Sequence, residues 1–342
     1  MIIGFNSVGI FSTELKLFVF KGGKIVSKKE CFFYNSSDKV TKIAGYCYIP
    51  DGEIKAVLQI CHGMMEYLER YEEFIFYLVE KGFMVVGNDH LGHGKSILDK
   101  EHLGYFCQEN PEKVLVKDHY NLKKYIIKNM ADKVDFNKIC WFNLGHSMGS
   151  FILRRYLTHY GNECDGAIIM GTGNADKTSV TLSMFLLDSI EKVKGGMYKS
   201  KTLNSIAMYG FSKYFKNSKS STSWLTHNTD EVKAYMKDPL CNYLFSVNGF
   251  KTILKMQINN ENRKSLEKIP KDLPVFIVSG SDDPVGKMGV DPIDLFHQYK
   301  DLGIRDISLK LYENSRHELL HDIDKEEVYQ DLYEFLERHK NK

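Results

Sequence analysis

From Thr41 to the C-terminus, short apolar segments alternate with longer stretches in which apolar residues recur every three or four positions. The short segments predict strands, several of them apolar on both faces as in a central parallel sheet, over residues 43–49, 56–61, 84–89, 139–144, 166–170, 275–279 and 307–312. The longer stretches predict helices over residues 71–81, 111–129, 151–160, 291–302 and 325–339. This alternation predicts an α/β fold with a mostly parallel, doubly wound sheet.

Two parts of the chain depart from the alternation. Residues 172–270 contain no convincing strand but several apolar patterns at helical spacing, which predicts an inserted helical cap (lid) over the carboxyl ends of the strands. The alternative is that these apolar patterns form only the core of the insertion itself. The core fold then comprises residues 31–171 and 271–342. Residues 1–30 form an N-terminal extension, in which Gly22-Gly23 between two β-prone segments indicates a hairpin.

Composition argues against some classes of function but does not identify one. The chain has 342 residues, with 46 Lys+Arg against 44 Asp+Glu. The net charge is therefore too small to favour nucleic acid as a partner. The 7 cysteines are scattered without a Cys-x-x-Cys pair, which fits a reducing compartment rather than a disulfide framework. No segment is long and apolar enough to span a membrane. We therefore expect a cytoplasmic protein, with transient contact between the cap and a membrane surface left open and oligomeric state undetermined.

A candidate nucleophile lies between a predicted strand and a predicted helix. Gly145-His146-Ser147-Met148-Gly149 follows the apolar segment 139–144 directly and precedes the helix predicted from Phe151. This order predicts a sharp strand–turn–helix with the Ser147 hydroxyl held out at the carboxyl end of the sheet. The two glycines matter because strand and helix approach so closely there that a Cβ would clash.

The partners that a serine nucleophile needs follow other predicted strands. A neutral imidazole must accept the hydroxyl proton, and a carboxylate must orient that imidazole. His317 comes shortly after strand 307–312, and Asp282 and Asp283 come after strand 275–279. Backbone N–H groups must also hold the oxyanion. Met148 supplies one of them, and the loop after strand 56–61 supplies the other, most simply at Met64.

The motifs together resemble a known family. They match the monoacylglycerol lipase and lysophospholipase branch of the α/β-hydrolases, which also includes proteins like the serine aminopeptidases. The matching segments are Cys61-His62-Gly63-Met64-Met65-Glu66-Tyr67 with Arg70-Tyr71, Asn88 to Ser96, Gly145 to Gly149, Gly280 to Val285, and Ser315-Arg316-His317-Glu318. The resemblance covers about residue 32 to the C-terminus and implies an α/β-hydrolase fold. It also implies that Asp283 is the acid, that Met64 is an N–H donor and that residues 172–270 form a lid.

The sequence therefore predicts a serine hydrolase that cleaves carboxylic esters carrying an acyl chain, through an acyl-enzyme on Ser147. Ser147, Asp283 and His317 are the expected catalytic residues, and the amides of Met64 and Met148 form the expected oxyanion hole. No metal or organic cofactor is required. The substrate is expected to be a small or lipid-like acyl ester, because the insertion is rich in apolar residues. An aminopeptidase or amidase reaction on the same residues stays an alternative.

Two further alternatives come from different classes of protein. His317-Glu318-Leu319-Leu320-His321 spells His-Glu-x-x-His, which on a helix is the zinc-binding motif of metallopeptidases. The polar segment 313–316 predicts a loop instead, so His317 is expected to precede a helix rather than lie within one. A noncatalytic relative that only binds a ligand is the other alternative, because fold does not determine function.

Overall fold

The computed structural model describes residues 14–19, 25–215 and 222–341. Their strands form one nine-stranded sheet in the order β1-β2-β3-β5-β4-β6-β7-β8-β9. The strands are β1 (Glu14–Val19), β2 (Ile25–Asn35), β3 (Lys42–Pro50), β4 (Ala56–Cys61), β5 (Phe83–Asn88), β6 (Cys140–His146), β7 (Gly166–Met170), β8 (Val275–Gly280) and β9 (Ile307–Tyr312). From β5 to β9 all neighbours are parallel, whereas β1, β2 and β3 add antiparallel strands at one edge. The predicted α/β class with a mostly parallel sheet is confirmed.

Helices cover both faces of the sheet, so its central strands are buried on both sides. These helices include α1 (Glu72–Glu80), α2 (Pro111–Met130) and α3 (Met148–Tyr160). α1 packs on one face in an apolar cluster that includes Leu78 and Phe142. α2 and α3 pack on the other face in a second cluster that includes Leu122 and Trp141. Both faces of β4 and β6 are fully buried, which explains why their sequences are apolar without alternation.

The described part of the chain between β7 and β8 contains helices joined by loops, with a single isolated β-bridge between Lys199 and Ser246. It contains α4 (Lys177–Lys194), α5 (Lys201–Ser212), α6 (Thr229–Lys237), α7 (Val247–Asn260) and α8 (Arg263–Leu266). Side-chain oxygens of Asp176, Ser200 and Ser246 cap the first turns of α4, α5 and α7. After β8 the chain adds α9 (Val290–Asp301) and, beyond β9, α10 (Lys325–His339). We keep residues 172–270 as the proposed cap and residues 31–171 with 271–342 as the proposed core.

The N-terminal extension joins the sheet instead of standing apart from it. β1 pairs antiparallel with β2, and β2 pairs along its length with β3. The predicted Gly22-Gly23 turn lies outside the described residues, so the hairpin and its boundary at residue 30 stay a proposal. The sequence did not predict the length of β2, which runs on to Asn35.

A buried lysine connects this edge of the sheet to α1. Only 2% of the Lys29 side chain is exposed, and its ammonium group forms ion pairs with Glu69 and, at 2.6 Å, with Glu72. The ammonium also lies 5.2 Å from the centre of the Tyr48 ring. A buried charge must be paired to be tolerated, so Lys29 and the two glutamates hold β2 against the start of α1.

This contact predicts the stability of a matched pair of variants. Lys29→Met should lower the free energy of unfolding by about 1–3 kcal/mol, because it leaves two half-buried carboxylates without their shared cation. Lys28→Met is the control, since Lys28 pairs with Glu30 at a 39%-exposed position and such pairs contribute less than about 1 kcal/mol. Urea denaturation at neutral pH measures both. Equal stability of the two variants would contradict the structural role of Lys29.

Candidate active site

Ser147 lies at the apex of the turn between β6 and α3. Its φ and ψ of 54° and −120° belong to a region that non-glycine residues rarely adopt. The surrounding backbone holds Ser147 in this strained conformation, because it packs closely against the glycines on both sides of the turn. A Cβ on Gly149 would overlap the Cys61 carbonyl oxygen and lie 2.6 Å from that of His62. A Cβ on Gly145 would lie 2.5 Å from the Gly149 carbonyl oxygen. The predicted clash at both glycines is confirmed.

The structure brings the three predicted side chains together. His317 Nε2 lies 2.8 Å from Ser147 Oγ, and His317 Nδ1 lies 2.9 Å from Asp283 Oδ2. Asp283 is fully buried after β8, and its other oxygen accepts the backbone N–H of Val285 at 2.9 Å. Asp282, the neighbouring carboxylate, accepts a hydrogen bond from the adjacent Ser281 instead. Of the two aspartates, Asp283 therefore has the geometry to orient His317.

Residues 62–66, which follow β4, form a loop beside the serine that we call the oxyanion loop. A Cβ on Gly63 would lie 3.1 Å from Ser147 Cβ, so this loop contacts the turn directly. The Gly63 N–H donates to the Glu66 carboxylate, which leaves the next amide, that of Met64, as the candidate donor in this loop. Met148 is the first residue of α3, where N–H groups have no acceptor within the helix. The two predicted oxyanion donors thus lie on the two segments next to the serine, the oxyanion loop and the first turn of α3.

A buried network of charges lies directly behind the oxyanion loop. Arg70 donates to Glu66 at 2.8 Å and to both carboxylate oxygens of Glu318 at 2.9 and 2.8 Å. The guanidinium also lies 5.0 Å from the centre of the Tyr235 ring. Burial alone would raise the pKa of Glu318, but the charge of Arg70 holds it well below its usual range. Glu66 and Arg70 are four positions apart, whereas Glu318 is distant in the chain, so its part in the network could not be predicted from local sequence.

His62 of the oxyanion loop and two histidines of the turn after β5, His90 and His93, are buried and neutral. His62 accepts the backbone N–H of His90 at 2.9 Å, and its other ring nitrogen lies 2.8 Å from the Gly63 carbonyl oxygen. Burial lowers the pKa of His62 and His90 well below the usual value, and that of His93 to about 4. His62 therefore donates to the Gly63 carbonyl and supports the oxyanion loop as a neutral imidazole.

A cavity of about 530 Å³ opens over Ser147 and His317. Its wall combines the oxyanion loop with residues of the proposed cap, and its apolar members include Met64, Met208, Trp224, Leu225, Tyr243 and Leu244. The buried Trp224 ring lies 5.2 Å from the His317 ring, centre to centre. Sequence patterns did not single out Trp224, because nothing local shows that it faces the histidine.

The structure does not support the metallopeptidase alternative. His317 lies in the loop after β9, and only residues Leu319–His321 form a short 3₁₀ helix. His321 Nε2 lies 2.8 Å from the carbonyl oxygen of Arg70, so the two histidines face different partners. Throughout residues 14–19, 25–215 and 222–341, no group of three or more His, Cys, Asp or Glu residues is placed to hold a metal ion. No helix of the same residues is long and apolar enough to cross a membrane.

Sequence comparisons identify relatives of the chain. Residues 52–324 match the family model described as serine aminopeptidase, S33. A monkeypox virus protein named monoglyceride lipase homolog is 25% identical over 298 residues, covering 86% of this chain and 92% of that protein. The rat monoglyceride lipase is 24% identical over 277 residues, covering 79% of this chain and 78% of the enzyme. The predicted resemblance to the monoacylglycerol lipase branch is confirmed.

Solved structures share the fold. A thermostable carboxyl esterase from Bacillus coagulans, crystallised with glycerol, superposes with a TM-score of 0.82 at 23% identity over 91% of this chain and 98% of the esterase. A soluble variant of monoglyceride lipase from Saccharomyces cerevisiae, in complex with a substrate analog, has a TM-score of 0.67 at 19% identity and 96% coverage of both chains. The α/β-hydrolase fold is therefore confirmed.

The backbone contact at Gly149 predicts that one added methyl group strongly destabilises the fold. Gly149→Ala should lower the free energy of unfolding by about 3 kcal/mol or more, because the new Cβ meets backbone carbonyls that have no room to move. Gly210→Ala is the matched control, since Gly210 lies in α5 with no atom within 4 Å of an added Cβ. There, alanine should be neutral or slightly stabilising. Thermal and urea unfolding measure both, and a Gly149→Ala protein as stable as the Gly210→Ala protein would refute the close approach.

Proposed function

Because the chain belongs to the α/β-hydrolase family described as serine aminopeptidase, S33, we propose that it is a serine hydrolase that cleaves carboxylic esters with an apolar acyl chain. The observation that carries the proposal is the continuous hydrogen-bonded series from Asp283 through His317 to Ser147, which opens into a largely apolar cavity. Its members come from three separate loops at the carboxyl ends of parallel strands, where α/β folds assemble their sites.

In the proposed reaction, neutral His317 takes the proton of Ser147 as Oγ attacks the ester carbonyl carbon. The negative charge that forms on the carbonyl oxygen is held by the amides of Met64 and Met148. His317 then gives the proton to the alcohol oxygen, the ester bond breaks and the acyl group stays on Ser147. A water molecule, deprotonated by His317, then attacks the acyl carbon. The bond to Ser147 Oγ breaks, His317 returns the proton to Oγ and the carboxylic acid leaves. Asp283 accepts the Nδ1–H of His317 and stabilises its charged form.

The charges around the cavity favour an ester over a peptide with a free amino terminus. An aminopeptidase must bind the ammonium group of its substrate, which requires an available carboxylate. The carboxylates that line the described part of this cavity are Glu66 and Glu318, and Arg70 already pairs with both. An apolar acyl chain, by contrast, gains from contact with Met208, Trp224 and the other apolar wall residues. The names of the relatives, monoglyceride lipases among them, support a monoacylglycerol-like substrate.

Variants of the three side chains test the mechanism. Ser147→Ala and Asp283→Asn should each lower kcat by at least about 10³-fold, because the first removes the nucleophile and the second the charge that orients the imidazole. Asp282→Asn is the matched control and should keep turnover within about threefold of wild type. A fluorophosphonate probe should label wild type but not Ser147→Ala. Wild-type turnover by Ser147→Ala would refute the acyl-enzyme, and equal losses for the two aspartate variants would refute the choice of Asp283.

A substrate panel tests the acyl specificity. For p-nitrophenyl esters of increasing chain length, kcat/KM should rise about fourfold per added CH₂ until the cavity is filled, because each buried CH₂ contributes about 0.8 kcal/mol. Monoacylglycerols should be hydrolysed, whereas aminoacyl anilides should give no turnover above that of Ser147→Ala. A preference for the acetate ester, or faster cleavage of the anilides, would contradict the assignment and favour a small-ester or aminopeptidase reaction.

A further inference from the structure

His146, the residue before the nucleophile, makes contacts that the proposed reaction does not use. It is buried between two loops of the site, the oxyanion loop and the loop of His317. Its Nδ1 lies 2.8 Å from the Tyr71 hydroxyl oxygen and 3.2 Å from Glu66 Oε1. Its Nε2 lies 3.2 Å from the backbone carbonyl oxygen of His317. Both ring nitrogens therefore have partners at hydrogen-bonding distance.

The protons on these partners determine the charge of the ring. The Tyr71 hydroxyl oxygen lies 2.7 Å from Glu66 Oε1, and an ionised carboxylate only accepts, so the single Tyr71 proton points to Glu66. The Tyr71 oxygen must then accept from His146, which requires a proton on Nδ1. The His317 carbonyl also only accepts, which requires a proton on Nε2. A neutral imidazole has one N–H and would leave one of these contacts without a proton.

Charged neighbours are consistent with a cation at this position. Burial alone would lower the pKa of His146, but the hydrogen bond and charge of Glu66, with a contribution from Glu318, raise it above its usual value. Burial likewise would raise the pKa of Glu66, but His146 and Arg70 lower it to about 2. The remaining titratable groups that face His146 are Tyr71, His317 and the buried, neutral His62.

We propose that His146 is a positioning residue that stays doubly protonated and, as an imidazolium, ties the oxyanion loop to the loop of His317. The Nδ1–H donates to the Tyr71 hydroxyl, which donates to Glu66, and the positive ring also attracts the Glu66 carboxylate 3.2 Å away. Glu66 in turn accepts the Gly63 N–H and so orients the peptide group between His62 and Gly63, next to that of Met64. The Nε2–H holds the His317 backbone. This proposal rests on the proposed function, because the two groups that it aligns are the oxyanion donors and the general base.

NMR of the full-length protein with ¹⁵N-labelled histidine rings tests the charge without any assay of activity. Both His146 nitrogens should show the shifts of protonated nitrogens at pH 8, with the signals assigned by their loss in His146→Gln. In Glu66→Gln, which keeps an acceptor at this position but removes the charge, the signals should change to those of a neutral imidazole. A neutral imidazole in wild type, or an imidazolium that persists in Glu66→Gln, would overturn the proposal. If His146→Gln does not fold, Glu66→Gln provides the assignment.

Steady-state kinetics test the positioning role. His146→Gln should lower kcat about tenfold with KM changed less than about threefold, because the groups that His146 aligns act in the reaction rather than in substrate binding. His159→Gln, at an exposed position of α3, is the control and should match wild type. Wild-type kcat in His146→Gln would overturn the role. Absence of fluorophosphonate labelling at Ser147 would instead refute the proposed function and leave the NMR result intact.

Discussion

The close approach of the β6–α3 turn to the end of β4 is the constraint on which the site depends. Gly149 lies against the carbonyl oxygens of Cys61 and His62, and Gly63 lies against Ser147. Because backbone meets backbone, neither segment can shift without moving the other, and the strained φ of Ser147 is held in place. A single packing contact thus sets the distance between the serine hydroxyl and the oxyanion loop, which are 84 positions apart at Gly63 and Ser147.

A group of buried ion pairs supports the site behind this backbone contact. Glu66, Arg70 and Glu318 form a buried network whose charges would be costly if any member were absent. The network joins the oxyanion loop to the residue that follows His317, so it restrains the position of each loop relative to the other. Arg70 pairs with both of these carboxylates of the cavity wall. In the proposed reaction, the same charges would contribute both to the geometry of the site and to its preference for an apolar acyl group.

Prediction from sequence succeeded where the signal was local. The central strands are mostly apolar because both faces are buried, with Gln59 and Asn143 as buried polar exceptions. The strands Ala56–Cys61 and Gly166–Met170 begin and end where the pattern predicted. α3 begins at Met148, three residues before the predicted start, because glycines mask the helical pattern there. β2 was underestimated, since Lys29 and its neighbours read as polar although Lys29 is buried by distant glutamates. The choice between Asp282 and Asp283 required the family resemblance, because adjacent aspartates have the same composition and spacing.

The sequence by itself determined the fold class, the family and the candidates for the nucleophile, base and acid. These follow from apolar periodicity and from short motifs, which depend on neighbours in the chain. Only the tertiary structure decided that His317 forms a hydrogen bond with Ser147 rather than joining His321 in a metal site. It also decided that Trp224 packs beside His317 and that Glu318 pairs with Arg70. These contacts join residues far apart in sequence, and their energies depend on burial and distance, which arise only when the sheet brings its loops to one edge.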